Sequence, residues 1–544
     1  MTSSFFAAIR SRGAPRLSTA ATSSRRHRLV PHIFGLASAL IAAVVTIIAT
    51  RRGIGLSWDS TDYIAVGQTL ARFGFALDVT ALPMTIRPPG LSIAVMIGEY
   101  VGISPSVSLR LLNAVSIAVV VLCTDTLLRR AGVRDAARYV GVALVVVSPT
   151  LLDLTTMAWS EPPFVALVLI SLVLATQRRP PWTDVFLAVC FSALFFVRYV
   201  GVFYAAPIGL FAVMRIWRER GAVHAVLRGL LITVVGAVGP ALWLRRNYDI
   251  DGTLTGYRVP GGGSLLGPLA TFTGTLGSWV LGRPPLDGNG GIYLSWADHS
   301  TAMQMTGIVS WVVIFAVVIA AILLGYRFNV GTRTDVVGSM IVLVVTYTAF
   351  SVYRYMYHEM GPLDSRMMSG LYVPMLIVIV VCIDRLVKSP RAARGALMAG
   401  IIAVAAHGVQ IGSDAESYAR EGRHWGSTIF QDAPIHRKIR ALGDAANRDV
   451  EAVTDAGTNA AVGVALYSNE PQSLFAATLH WPVRNQYQYH LGYPRPCNER
   501  YFVWYNQTFL PEGKPVGAEV VFSDSWGEIL SLGSCDEPIE TYWP

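Results

Sequence analysis

Residues 30–50, VPHIFGLASALIAAVVTIIAT, form a run without Asp, Glu, Lys or Arg, about as long as a helix needs to cross the hydrocarbon core of a bilayer. An acidic cluster follows, Trp58-Asp59-Ser60-Thr61-Asp62-Tyr63, and then an Arg87-Pro88-Pro89 turn. Ten further apolar runs come after it, at about 107–128, 137–155, 161–177, 183–198, 201–215, 225–244, 304–326, 336–356, 370–387 and 394–412. The pattern predicts an all-α polytopic membrane bundle of about eleven transmembrane helices. Mean hydropathy is +0.47 and only 15% of residues are charged, against about a quarter in a soluble domain. A soluble fold would lack the polar cover its buried helices need.

Arginines set the expected sidedness. Arg129/Arg130/Arg134/Arg138, Arg178/Arg179, Arg215/Arg218/Arg220, Arg327/Arg333 and Arg385/Lys388/Arg391/Arg394 fall in alternate loops, all on the side of the N-terminus. The positive-inside bias makes that side cytoplasmic. The first run is too long for a signal-peptide core and lacks an A-x-A exit, so it reads as a retained helix. The organisation expected is a disordered basic cytoplasmic arm (1–29), a transmembrane domain (30–412) with external loops at 51–106 and 245–303, and an extracytoplasmic tail (413–544). Leu91–Ile103 is short for a span, and counting it would invert every later loop. It is expected to be interfacial or re-entrant. The alanine-, valine- and arginine-rich composition suits a GC-rich bacterium and hence a multi-pass protein of a bacterial plasma membrane.

The net charge of +9 does not point to nucleic acid, because the basic residues sit in short loops and form no stripe interleaved with aromatics. The tail carries five tryptophans and β-prone stretches such as Glu519-Val520-Val521-Phe522, and predicts a small mixed α/β domain. Cys497 and Cys535 are the only cysteines in it. In an oxidising compartment they are expected to form a disulfide, with two free thiols as the alternative. No P-loop, HExxH or CxxC is present, and no internal repeat of the kind that builds many secondary transporters is visible.

Three groups of residues on the external side carry candidate chemistry. Asp59 and Asp62 are three apart on a helical pattern, so their carboxylates share a face. A carboxylate near a low-dielectric surface is raised in pKa and can take a proton, although an Asp or Ser here can equally cap a helix. Glu161, in Trp159-Ser160-Glu161-Pro162-Pro163, is either an ordinary helix-start acid or part of the same site. Several arginines run against the positive-inside trend: Arg87, Arg198, Arg246, Arg258 and Arg366 among them. Arg198 sits between two spans with almost no loop and needs an anionic partner, either a phosphate or one of these carboxylates. Asp364 and Arg366 either pair locally or line the bundle mouth.

In order and sidedness these pieces resemble the GT-C superfamily of membrane glycosyltransferases, closest to the family 39 type of protein O-mannosyltransferases and aminoarabinose-to-lipid-A transferases. The matching pieces are Asp59 with Tyr63, Arg87-Pro88-Pro89-Gly90, Arg110-Leu111-Leu112-Asn113, Ser160-Glu161-Pro162, Arg198 with Gly201, Arg246-Asn247-Tyr248 with Gly252 and Gly256, and Asp364-Ser365-Arg366. The resemblance implies a polyprenyl-phosphate-linked sugar as donor and transfer on the extracytoplasmic face to a glycan, lipid or protein acceptor. The family's catalytic Asp falls on Asp59 and its second acid on Glu161. The family's Asp-Glu pair is broken here by Ser60, which leaves Asp62 as a rival base. The expected chemistry is one inverting displacement, with Asp59 as base and Arg198, Arg246 and Arg366, backed by Arg87 and Arg258, on the departing phosphate. No cofactor is required; a divalent metal bridging carboxylate and phosphate is compatible with these residues but not demanded by them. The competing reading is a flippase or other transporter of lipid-linked sugars, which should carry its ionisable residues near mid-membrane. A ligase-type assembly protein would instead place its large external loop late in the bundle.

Overall fold

The computed structural model describes residues 20–177, 182–257, 265–282, 297, 299–323, 336–357, 363–446, 464–479, 483–485, 499–506, 514–515 and 517–533. Arg258, Cys497 and Cys535 lie outside them, and with them the expected disulfide. After α1 (Ala20–Ala49), the segment expected to be the first external loop folds into α2 (Trp58–Phe73) and α3 (Gly90–Tyr100). The bundle continues with α4 (Pro105–Arg130), α5 (Asp135–Val146), α6 (Pro149–Thr155), α7 (Glu161–Ala175), α8 (Trp182–Val197), α9 (Gly201–Arg220) and α10 (Ala222–Asp251). It is completed by α11 (Leu266–Leu281), α12 (Thr301–Leu323), α13 (Val336–Tyr357), α14 (Ser369–Leu386) and α15 (Pro390–Glu421).

Among the described residues, each of the eleven predicted runs is helical over most of its length. By length and apolarity alone, five helices among the described residues can cross a bilayer (α4, α10, α13, α14 and α15), or six if α5 and α6 count as one span. That pair departs from the sequence reading of one straight span. It bends by 42°, because Pro149 has no N–H to continue the helix and Ser148 caps a new one through its hydroxyl to the Leu151 N–H. Helix α3 has 11 residues and packs on α2 and α4, in line with an interfacial element.

The second departure is α11, expected to be loop. Its glycines and threonines lower its apolarity, yet they let it lie directly on α12. A Cβ at Gly277 would stand 1.8 Å from the Met303 carbonyl oxygen, and one at Gly307 1.9 Å from that of Thr273. Small residues give helices in lipid their close approach.

At the end away from the external loop, loop arginines find buried acids. Arg134 meets Asp384 at 2.6 Å and Arg129 meets Asp125 at 3.0 Å.

The tail holds α16 (Thr428–Gln431), α17 (Pro434–Ala446), β1 (Val464–Ser468), α18 (Pro471–Thr478), β2 (Arg484–Asn485), β3 (Glu499–Tyr505), β4 (Glu519–Ser523) and β5 (Gly527–Ser531). The strands form a mixed sheet in the order β2-β1-β3-β5-β4, parallel on the β2–β1–β3 side and antiparallel across β3, β5 and β4. This is the expected α/β character, but the tail does not stand apart. Ile54, Leu56, Ile64, Leu77 and Val79 of the first external loop share one buried apolar cluster with Phe430, Ile435, Leu474 and Phe475 of the tail. Backbone joins them too: the Val483 N–H donates to the Val79 carbonyl at 3.0 Å.

Candidate active site

The site lies where α2, the α6–α7 turn, the α8–α9 turn and the start of α14 meet. Helix α2 is capped by Ser57 and Ser60 in a reciprocal box. Asp59 is therefore not the cap; its carboxylate is left to point outward. Asp59 and Asp62 do share a face, and Arg87 forks across both. Its Nη2 donates to Asp59 Oδ1 at 2.6 Å and its Nη1 to Asp62 Oδ2 at 2.7 Å. The other oxygen of Asp59 accepts from Arg366 Nη2.

Glu161 opens α7 and is fully buried. Its Oε1 pairs with Arg198 and accepts from Arg366 Nε at 3.3 Å. Its Oε2 is buried with no hydrogen-bond partner among the described residues. Arg366 thus bridges Asp59 and Glu161, and its guanidinium lies 4.0 Å over the Trp159 ring. Arg198 also donates to the Ser160 hydroxyl at 3.3 Å, and Tyr63 donates to the same oxygen at 3.4 Å. The result is a continuous chain of charge, Asp62–Arg87–Asp59–Arg366–Glu161–Arg198, lined by Trp159, Ser160 and Tyr63.

The electrostatics separate the acids. Burial alone would raise the Asp59 carboxyl, but Arg87 and Arg366 overcome it and hold it well below the usual carboxylate range. Burial pushes Asp62 up to about 7 against the pull of Arg87, helped by Asp78 and Asp59. Asp364 is pushed up by burial to about 6, and its Oδ1 accepts from the Met367 N–H at 2.9 Å. Asp364 therefore caps the turn that presents Arg366, whose guanidinium pairs with Asp59 and Glu161.

Arg246 is not brought to this cluster. Its Nη1 donates to the Met84 carbonyl at 2.8 Å and to Asn247 Oδ1 at 2.9 Å, and it stacks 4.4 Å over Trp243. Arg110 and Asn113, quoted in the resemblance, also prove to be framework. Arg110 donates to the Ile47 carbonyl at the end of α1. Buried Asn113 holds the carbonyls of Thr155 and Met157 at 2.9 and 2.8 Å, fixing the turn before Glu161. Sequence reasoning missed Trp159 and Ser160 as site walls, although both flank Glu161 in the quoted stretch. Among the described residues no three His, Cys, Asp or Glu side chains group as a metal set.

The arrangement offers an ionised, part-exposed carboxylate beside three fixed guanidiniums. That is a seat for an oxyanion next to a proton acceptor. Residues 81–241 match the family described as dolichyl-phosphate-mannose-protein mannosyltransferase, a stretch that contains Arg87, Glu161 and Arg198. The comparison with curated proteins gives no match. Among solved structures, ArnT from Cupriavidus metallidurans in the apo state superposes with a TM-score of 0.56 at 14% identity, over 94% of this chain and 98% of that one. The same protein bound to undecaprenyl phosphate gives 0.56 at 12% identity, over 92% and 98%. The chain therefore shares its overall fold with ArnT, and its residues 81–241 carry the sequence pattern of the dolichyl-phosphate-mannose-protein mannosyltransferase family.

Proposed function

We propose that the protein transfers a sugar from a polyprenyl-phosphate donor to a hydroxyl of a cell-envelope acceptor, on the extracytoplasmic face of a bacterial plasma membrane. The observation that carries this reading is the alternation of Asp59 and Glu161 with Arg87, Arg366 and Arg198 at the mouth of the bundle. A transporter would carry its charges near mid-membrane instead.

In the reaction, Asp59 takes the proton of the acceptor hydroxyl as that oxygen attacks the anomeric carbon. The bond to the lipid phosphate breaks on the opposite face, so configuration inverts. Arg366 and Arg198 receive the charge that develops on the departing phosphate. Asp59 is a weak base while two guanidiniums hold it. A donor phosphate that draws Arg366 toward itself loosens one of them, so seating the donor raises the basicity of Asp59. Arg87 keeps its grip on Asp62 and Asp59 and sets their relative orientation.

The test is transfer of radiolabelled sugar from its polyprenyl phosphate in membranes containing wild type, Asp59→Asn or Asp62→Asn. Asp59→Asn is expected to retain donor binding and lose transfer by about 10³-fold or more, within the range general-base catalysis supplies. Full activity of that variant removes the assignment. Donor translocation without any product, in a chain that otherwise folds, replaces the enzyme reading with transport.

A further inference from the structure

Arg87 is held in the site from outside it. Three side chains, Tyr199 from the α8–α9 turn and Arg246 and Asn247 from α10, converge on the backbone of residues 84–85 just before it. Tyr199, next to Arg198 in the tight α8–α9 turn, donates its hydroxyl to the Thr85 carbonyl at 2.8 Å. The same hydroxyl accepts from Trp243 Nε1 at 2.9 Å and from Asn247 Nδ2 at 3.0 Å. Asn247 is fully buried; its amide also reaches the Leu254 carbonyl at 3.0 Å and the Thr85 carbonyl at 3.4 Å. Arg246 adds the Met84 carbonyl.

The chain after α10 closes the clamp. Gly256 sits at φ +77°, and a Cβ there would lie 2.6 Å from Ile86 Cγ1 and 2.8 Å from Ile86 Cα. No side chain fits between that turn and Ile86. The carbonyl of buried Thr85 is costly to leave unmatched, so the conformation of residues 84–86 is strongly specified. Arg87 is the next residue, and its fork on Asp59 and Asp62 depends on where that backbone stands.

We propose that Tyr199 and Asn247 are positioning residues that act on the reaction through Arg87. Their hydrogen-bonded pair fixes the 84–86 backbone so that one guanidinium spans both carboxylates. This explains why a motif whose arginine does not reach the acids lies in a chain of this pattern. It also couples the two cationic corners: adjacent residues, Arg198 and Tyr199, serve Glu161 and Arg87 respectively. The inference rests on the transferase reading only for its kinetic arm.

The experiment compares Tyr199→Phe, Arg87→Lys and the double variant in two readouts. The first is modification of Arg87 by phenylglyoxal in the detergent-solubilised full chain, followed by peptide mass spectrometry; it needs no activity. Tyr199→Phe is expected to speed Arg87 modification several-fold while the melting temperature changes little. The second is transfer kinetics. Each single variant is expected to lower kcat by about tenfold with little change in donor KM, as for loss of one buried hydrogen bond. The double variant is expected to be no worse than Arg87→Lys alone, because Tyr199 has nothing left to position. Asn247→Asp, which keeps the shape and loses the donors, should resemble Tyr199→Phe in the labelling readout.

Additive losses in the double variant, or unchanged Arg87 labelling in Tyr199→Phe, overturn the proposal. If wild type shows no transfer, the transferase reading fails instead; if Asp59→Asn stays active, only the base assignment fails; in both cases the labelling result still decides whether the clamp holds Arg87.

Discussion

At the scale of single residues, the site separates two aspartates three positions apart into different roles. Asp59 lies between two guanidiniums and stays ionised across any physiological pH. Asp62 is the more deeply buried and shares one guanidinium with Asp59. If Asp59 is the base, kcat/KM should show no acid limb near neutrality, and Asp62→Asn should keep most of its transfer at pH 6. A limb with its midpoint near 7 that vanishes in Asp62→Asn would move the base to Asp62. Stability gives an independent reading. The folded Asp62 carboxyl titrates at about 7 against an ordinary value of 3.8, so between those values the native state holds more protons than the unfolded one. Its contribution to stability is complete below about pH 4 and is lost as pH rises through 7. Thermal melts of detergent-solubilised protein at pH 5 and pH 8 should show this loss, and Asp62→Asn should flatten it. An unchanged slope in the variant would show that Asp62 is not the group responsible. Glu161 is different again. Removing its charge leaves Arg198 with less compensation in a buried place, so Glu161→Gln should lower both yield and transfer; breaking a buried pair costs about 3–5 kcal/mol.

At the scale of elements, turns deliver the chemistry and the spans hold the turns apart. The first external helix was legible as a helix with both acids on one face, because i and i+3 spacing survives any packing. Arg198 was legible as a residue needing an anion, because so little chain separates α8 from α9. Which anion it met was not legible, since a phosphate and a carboxylate present the same chemistry to a guanidinium. Arg246 was expected at the site for a related reason: charge bias suggests on which side an arginine lies but not whether it faces a carboxylate or a backbone carbonyl. Helix α11 was missed because glycine and threonine, which permit its contact with α12, also erase its apolar signal. Close backbone approach supports a further expectation. Helix α3 begins at Gly90, where a Cβ would stand 2.5 Å from the Phe196 carbonyl oxygen, just before Arg198 in the neighbouring turn. Gly90→Ala must push α3 or the α8–α9 turn aside. It should therefore reduce transfer at least tenfold, whereas Gly102→Ala, with no heavy atom near its Cβ position, tests only the cost of its positive φ. Equal activity of Gly90→Ala and wild type would show that this contact does not locate Arg198.

At the scale of the whole molecule, the sequence suggested a bundle with an appended tail, but the tail is built into the site's foundations. Residues 54–95 contribute ten buried apolar side chains to a core they share with it, and a parallel bridge pairs Leu56 with His424 just ahead of α2. A buried ion pair completes the attachment. Arg423 donates to Asp153 Oδ1 at 2.5 Å and to the Asp153 carbonyl at 2.8 Å, and stacks 4.3 Å over Tyr418, whose hydroxyl reaches the same carboxylate. Asp153 belongs to α6, whose end leads into the turn that carries Glu161. The tail thereby fixes both strands of chain that bring acids to the site, Gly55–Asp59 on one side and Asp153–Glu161 on the other. Arg423→Ala leaves a buried carboxylate without its cation, at a cost of about 3–5 kcal/mol, and should loosen both acids together. Two measurements separate this from a passive tail. Residues 413–544 expressed alone should fail to give a cooperative melt, because the apolar residues of 54–95 that complete their core are missing. Full-length Arg423→Ala should lose transfer more than it loses donor binding, with limited proteolysis appearing in the tail and in residues 74–86 at the same protease concentration. A tail that melts cooperatively by itself, or an Arg423→Ala protein cut only in the tail, would return that segment to the status of an independent appendage.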